Sequence, residues 1–158
     1  MFFFFLDAIE EAAGEPVRRI MDSWIFQGGH PVVTVELADE RRTLRLHQGP
    51  QRLIGDDDHL PTDRRWAVPV LVRHGTGDST GTAKALLDTP DTAVALDGPA
   101  DWVLVNSGGS GFFRVRYAPD PLAALPRRAA TELTALERFA LVDDAWASVL
   151  AGTTATPA

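Results

Sequence analysis

Histidines are the residues of this chain best suited to zinc binding or proton transfer, and there are four of them: His30, His47, His59 and His74. A zinc-peptidase helix needs two histidines four positions apart with a glutamate after the first, H-E-x-x-H. The sequence contains no such pair. We therefore expect ordinary surface or half-buried histidines, and the sequence predicts no catalytic residue, no cofactor-binding residue and no metal ligand.

An acidic run is the best metal candidate on ligand type alone, Asp56-Asp57-Asp58-His59. A calcium loop spaces its oxygen ligands at alternate positions around a glycine and adds a distal glutamate. This run lacks that spacing, the glycine and the distal glutamate, so a solvated surface loop is the favoured interpretation.

The segment Ser107-Gly108-Gly109-Ser110-Gly111 invites a catalytic or phosphate-binding interpretation. It is not a P-loop, because no Lys-Ser/Thr pair follows and the next element is strand-like. It is not a nucleophile elbow either, because Phe112 stands where G-x-S-x-G requires glycine. We expect the turn of a β-hairpin, with positive φ for at least one of the glycines.

Three charged residues after this turn, two on the next strand and one on the C-terminal helix, are candidates for an interface. Alternation along the strand places Arg114 and Arg116 on the face opposite Phe113 and Val115. The face with the two arginines is therefore expected to point to solvent or to another domain. Asp143 interrupts an apolar helical stripe, and a carboxylate there needs either a partner or access to solvent. Contact with solvent at the edge of the stripe is the favoured interpretation.

Composition excludes several classes of partner. The chain has 158 residues, 45 % hydrophobic content and a net charge of −7, with Lys84 its only lysine. Nucleic acids and anionic membranes attract concentrated basic residues, so neither is expected to bind. The absence of cysteine fits a cytoplasmic protein. The apolar run Met1–Leu6 is too short for a signal peptide or a membrane span.

Hydrophobic periodicity divides the chain into three parts. Residues 1–29 are expected to be helical, with a break at Gly14 and a stop at Gly28-Gly29. Residues 119–158 are expected to form a proline-rich linker, a helix with an apolar stripe and a disordered tail. Between them, seven strand-like runs predict an antiparallel sandwich; the runs are Val33–Leu37, Leu44–Leu46, Trp66–His74, Gly81–Leu87, Thr92–Leu96, Trp102–Asn106 and Phe112–Tyr117.

Four motifs, in this order, resemble the gluzincin-type zinc aminopeptidases, the bacterial and other relatives of alanyl and puromycin-sensitive aminopeptidase. They are Trp24-x-x-Gln27-x-Gly29-x-Pro31-Val32-Val33, Trp66-x-x-Pro69, Asn106 with Gly111-Phe112-Phe113-Arg114-Val115-x-Tyr117, and Arg138-x-x-Leu141-Val142-x-Asp144 followed by Gly152. The family's H-E-x-x-H and G-x-M-E-N motifs are missing, so the resemblance transfers no catalytic or zinc-binding position to this chain.

The resemblance implies a non-catalytic part of an aminopeptidase that uses zinc to remove N-terminal residues from peptides. Residues 1–29 would be the helical end of the catalytic domain, residues 30–118 the β-sandwich domain, and residues 119–158 the linker and first helices of the C-terminal helical domain. The implied fold is mainly β, a seven-stranded, immunoglobulin-like antiparallel sandwich with helical flanks. Those neighbouring domains would be its partners, and zinc would belong to the parent enzyme. The alternative is a free-standing sandwich that binds protein or carbohydrate, which leaves exposed apolar faces on the helical flanks unexplained.

Overall fold

The computed structural model describes residues 2–55 and 63–153, with side chains from Leu6 onward. The acidic run Asp56–His59 and residues 154–158 of the expected disordered tail lie outside the described residues. The helices are α1 Phe2–Ala13, α2 Val17–Ile25, α3 Pro119–Arg128 and α4 Ala135–Leu150. The strands are β1 Pro31–Ala38, β2 Thr43–Pro50, β3 Val68–Thr76, β4 Ser79–Leu87, β5 Asp91–Ala95, β6 Trp102–Val105 and β7 Arg114–Tyr117.

Each strand overlaps one of the seven predicted runs, but the chain is not mainly β. Helices and strands cover equal lengths of chain, so the architecture is mixed. One reason is that the expected linker after Tyr117 is the helix α3. Pro119 and Pro121 occupy its first turn, where proline costs no hydrogen bond. Leu125 of α3 is fully buried against Trp102 and Leu104 of β6.

The strands form two sheets, a four-stranded sheet in the order β5-β2-β1-β7 and a three-stranded sheet in the order β4-β3-β6. All neighbours pair antiparallel except β1 and β7, which pair in parallel from Val32–Arg114 to Val35–Tyr117. The prediction of a purely antiparallel arrangement is therefore wrong for this pair.

The predicted hairpin around Ser107–Gly111 is also wrong. β6 pairs with β3 in one sheet, whereas β7 pairs with β1 in the other, so the glycine-rich loop crosses between the sheets. The local sequence resembles a hairpin because a hairpin turn and a loop that crosses between two sheets both need residues that tolerate positive φ. Strand pairing is decided by long-range contacts, here the pairing of β7 with β1 from Val32–Arg114 to Val35–Tyr117.

The main core lies where the inner faces of the two sheets meet. Alternate residues of β1, β2 and β3 are buried there, as the period of two predicts; the members from these strands are Val33, Val35, Leu44, Leu46, Val68, Val70 and Val72. Gln48 is the unexpected member, being fully buried. Its side-chain amide donates to the carbonyls of Trp66 and Leu87 and accepts from the Trp66 N–H at 2.9 Å, so its polar atoms are satisfied.

The N-terminal helices break at Gly14, which has φ +65°, as the sequence predicts. Helix α2 attaches to the chain just before β3. The Trp24 indole N–H donates to the Ala67 carbonyl at 3.0 Å, and the Gln27 amide donates to the Arg65 carbonyl at 2.6 Å. Trp24 also packs against the core, while its neighbour Ile25 is exposed.

Candidate interdomain surface

Helix α4 buries three of its polar residues and exposes most of its large apolar residues. Glu137, Asp144 and Ser148 are buried beneath it. The outward face is apolar and exposed, with Phe139 at 66 % and Trp146 at 59 % exposure; its other apolar members are Leu136, Val142 and Leu150. A helix on the surface of a free-standing domain has the opposite polarity.

The N-terminus of α4 is fixed by a capping box. The Glu137 N–H donates to the Thr134 hydroxyl at 3.2 Å, and the Thr134 N–H donates to the Glu137 carboxylate at 2.8 Å. This pair defines where the helix begins and places Glu137, which is 2 % exposed, against the β6–β7 loop.

Glu137 is the polar centre of the contact between α4 and the two sheets. Its carboxylate accepts from the Gly108 N–H at 3.0 Å and from the Arg73 guanidinium at 3.0 Å. Burial disfavours its charge, but hydrogen bonds from Thr134 and Gly108 and the charge of Arg73 outweigh burial and lower its pKa. The Gly108 N–H of this glycine-rich loop therefore binds a carboxylate of the chain itself.

The β6–β7 loop is shaped by local backbone requirements. Gly108 and Gly109 have φ of +82° and +66°, which confirms the expectation of positive φ. Asn106, also at positive φ, closes the loop by accepting from the Gly111 N–H at 2.8 Å and donating to the Gly111 carbonyl at 3.1 Å. A Cβ at Gly111 would lie 2.3 Å from the Phe113 ring, so close packing explains this glycine.

Arg114 bridges two adjacent carboxylates of α4. It forms an ion pair with Asp143 and lies 3.4 Å from an Asp144 oxygen. Asp143 therefore has a partner and also remains 38 % exposed, which agrees with its expected position at the edge of the stripe. Burial raises the pKa of Asp144 to about 6, although Arg114 opposes the shift. Arg116 is half-buried, and burial lowers the pKa of its guanidinium.

A cleft of about 290 Å³ lies between the β6–β7 loop and α4. Phe112 and Phe139 line it, with Arg114 and Asp143 among its charged residues. The His30 ring packs on Phe112 with ring centroids 5.6 Å apart. Burial, and next the positive charge of Arg114, lower the pKa of His30, so its ring is neutral near pH 7.

The two other histidines among the described residues, His47 and His74, lie apart from this cleft. His47 contacts Asp91 at 2.8 Å on the outer face of the four-stranded sheet, and His74 is buried beside Gly81. Within residues 2–55 and 63–153, no three His, Cys, Asp or Glu side chains are grouped to hold a metal ion. No helix in that part of the chain is both long and apolar enough to cross a bilayer.

Comparison with known proteins finds similarity to parts of several aminopeptidases. A family profile described as "ERAP1-like C-terminal domain" matches residues 102–158. The chain is 34 % identical over 140 residues to puromycin-sensitive aminopeptidase of Caenorhabditis elegans, which covers 87 % of this chain and 15 % of that protein. It is 31 % identical to aminopeptidase M1 of Arabidopsis thaliana (91 % of this chain, 17 % of that protein). It is 32 % identical to aminopeptidase A of Gloydius brevicauda (94 % and 16 %).

These similarities extend over most of the chain and agree with the family indicated by its motifs. The chain belongs to the gluzincin-type aminopeptidase family, and it matches a non-catalytic region in the C-terminal part of its larger members. It spans 15–17 % of the length of these three relatives.

Proposed function

We propose that the chain is the non-catalytic segment of a cytoplasmic, zinc-dependent aminopeptidase that removes N-terminal residues from peptides. In this proposal residues 1–29 end the catalytic domain, residues 30–118 form the β-sandwich domain, and residues 119–158 begin the C-terminal helical domain. The role of the segment is to brace the domains on either side. Its partners are those domains, while peptides are substrates of the whole enzyme.

We assign the sheets to an immunoglobulin-like sandwich of seven strands. Two pairings support this assignment, β2 with β5 and β3 with β6. They correspond to the B–E and C–F neighbours of that architecture. Such a sandwich is stiff, since side chains of both inner faces interdigitate, and a stiff element suits a brace between domains.

The observation that carries the proposal is the reversed polarity of α4. Contiguous exposed apolar surface on a soluble protein marks a site of interaction. Here that surface includes Phe139 and Trp146, and it belongs to the segment that matches a C-terminal aminopeptidase domain. A free-standing binding module gives no reason for burying Glu137 and Asp144 while exposing these aromatic residues.

Only the family resemblance supports zinc as the metal of the whole enzyme. The described residues include no donor set that fits it, so the metal would be held elsewhere in a longer polypeptide. Accordingly, no step of peptide hydrolysis is assigned to residues of this chain.

We expect the 158-residue chain to bind no zinc stoichiometrically and to hydrolyse no aminoacyl-anilide, because it lacks the ligand helix H-E-x-x-H. Metal analysis of dialysed protein and an anilide assay with added zinc check this. A known aminopeptidase, assayed in parallel, is the positive control. One tightly held zinc per chain together with turnover would overturn the non-catalytic assignment.

Replacing Phe139 and Trp146 together with alanine should change the free energy of unfolding by less than about 0.5 kcal/mol, because both side chains are exposed. The same variant should bind much less of the apolar dye ANS. Urea unfolding and dye fluorescence measure the two effects.

The matched control is Leu125→Ala on α3, whose side chain is fully buried. It should cost about 2–5 kcal/mol by creating a cavity. If the α4 variant were as destabilised as this control, the apolar face of α4 would be packed within the chain. That result would contradict the proposed bracing role.

A further inference from the structure

Asp143 lies at the edge of the exposed apolar face of α4, where it lines the cleft together with Phe139. Phe139 precedes it by four residues and Trp146 follows it by three, so all three share one side of the helix. Whatever covers the two aromatic side chains therefore also removes Asp143 from water. A carboxylate that loses water needs a cation close to it, since an uncompensated buried charge is costly.

The cation already present is shared between two acids. Arg114 contacts both Asp143 and Asp144, which leaves one negative charge uncompensated when both carboxylates are ionised. His30 is the other basic side chain lining the cleft, and it is neutral near pH 7 because burial and Arg114 lower its pKa. The net charge of the side chains that line the cleft is therefore negative when both carboxylates are ionised.

The walls of the cleft favour a particular kind of cation. Phe112 and Phe139 are exposed and face the space beside Asp143. Guanidinium and ammonium groups bind well between aromatic faces and a carboxylate. The volume of about 290 Å³ accommodates the end of one long side chain.

We propose that the segment covering α4, a part of the same longer polypeptide, inserts one arginine or lysine side chain into this cleft and pairs it with Asp143. Charge complementarity selects a basic side chain. The share of its relatives' length spanned by the chain, 15–17 %, leaves ample polypeptide to supply it. This inference rests on the proposed bracing role and adds to it the chemistry of the contact.

The test uses two small probes at constant ionic strength, Nα-acetyl-arginine methylamide and the uncharged analogue Nα-acetyl-citrulline methylamide. Amide chemical shifts of the 15N-labelled chain are followed by NMR. The arginine probe should cause saturable shifts around Phe112 and Phe139, with an affinity about fivefold above that of citrulline.

Three variants assign the effect to the carboxylate. Asp143→Asn should lower affinity for the arginine probe about fivefold, whereas Asp143→Glu should retain it because the charge is kept. Asp22→Asn on the exposed side of α2 is the matched control and should bind as the unchanged chain does. A native-like spectrum of each variant shows that it is folded.

Equal binding of the two probes, no binding of either, or insensitivity to Asp143→Asn would each overturn the proposal. Self-association of the chain in sedimentation experiments, abolished by Asp143→Lys, would overturn it as well, by showing that a second copy fills the cleft. None of these results alters the zinc and activity measurements or the exposure of Phe139 and Trp146. Failure here is therefore distinguishable from failure of the proposed function.

Discussion

Replacing Glu137 with alanine is expected to lower the free energy of unfolding by about 3–5 kcal/mol, a large part of the total stability of a small domain. The carboxylate is 2 % exposed and accepts from Thr134 at the start of its own helix, from Gly108 of the β6–β7 loop and from Arg73 of β3. Alanine would leave these donors without their acceptor in a buried place. Urea unfolding at pH 7, extrapolated linearly to water, measures the change.

Glu137→Gln separates the charge of this residue from its hydrogen bonds. Glutamine retains a side-chain oxygen that can accept from Thr134 but loses the ion pair with Arg73, so an intermediate cost is expected. Glu11→Ala on the exposed side of α1 is the control and should change stability by no more than about 0.5 kcal/mol. A cost for Glu137→Ala as small as that of the control would show that α4 is held by its apolar contacts alone.

The seven strand positions could be predicted because a period of two in apolar residues is a local signal. Val33 and Val35, or Leu44 and Leu46, point to one face whatever their strands pair with. Pairing itself is not local. The runs on either side of Ser107–Gly111 suit a hairpin equally well, and the partner of β7 is chosen by contacts with β1, some eighty residues earlier in the chain.

For the candidate surface, too, local features could be predicted from the sequence and long-range contacts could not. The apolar stripe of α4 and its exposure could be anticipated, because the family resemblance supplied a reason for apolar residues to face outward. Burial of Glu137 could not, since a glutamate three residues after Thr134 signals a capping box but not what lies beneath it. The same holds for Gln48, whose four hydrogen bonds join parts of the chain that no sequence pattern connects.

A helix that buries acids and exposes aromatic residues is poorly suited to the surface of an isolated domain. It is well suited to a surface that another part of the protein covers. The inward acids are compensated within the chain, by Arg73 for Glu137 and by Arg114 for Asp144. The outward apolar side chains, Phe139 and Trp146 among them, remain exposed in the described part of the chain. The internal contacts therefore fix the position of α4 on the sheets, and its free face is available to bind another part of the protein.

Asp144 should make the chain less stable as the pH rises from about 4 to about 6. Burial raises its folded-state pKa to about 6, whereas an unfolded aspartate titrates near 3.9. Between these values the folded chain holds a proton that the unfolded chain has released, so raising the pH favours unfolding. Above the folded pKa both states are ionised and the whole penalty, about 3 kcal/mol, is present.

Asparagine at position 144 remains neutral at every pH and should not show this loss. We expect the stability difference between Asp144→Asn and the unchanged chain to shift in favour of the variant by about 2 kcal/mol between pH 4 and pH 7. Any fixed cost of weakening the contact with Arg114 cancels in that change, as do the titrations of Glu137 and other groups common to both proteins. Urea unfolding at several pH values measures the difference, with Asp22→Asn as the exposed control. A difference that stays constant with pH would mean that Asp144 keeps an ordinary pKa, because Arg114 and water then offset its burial fully.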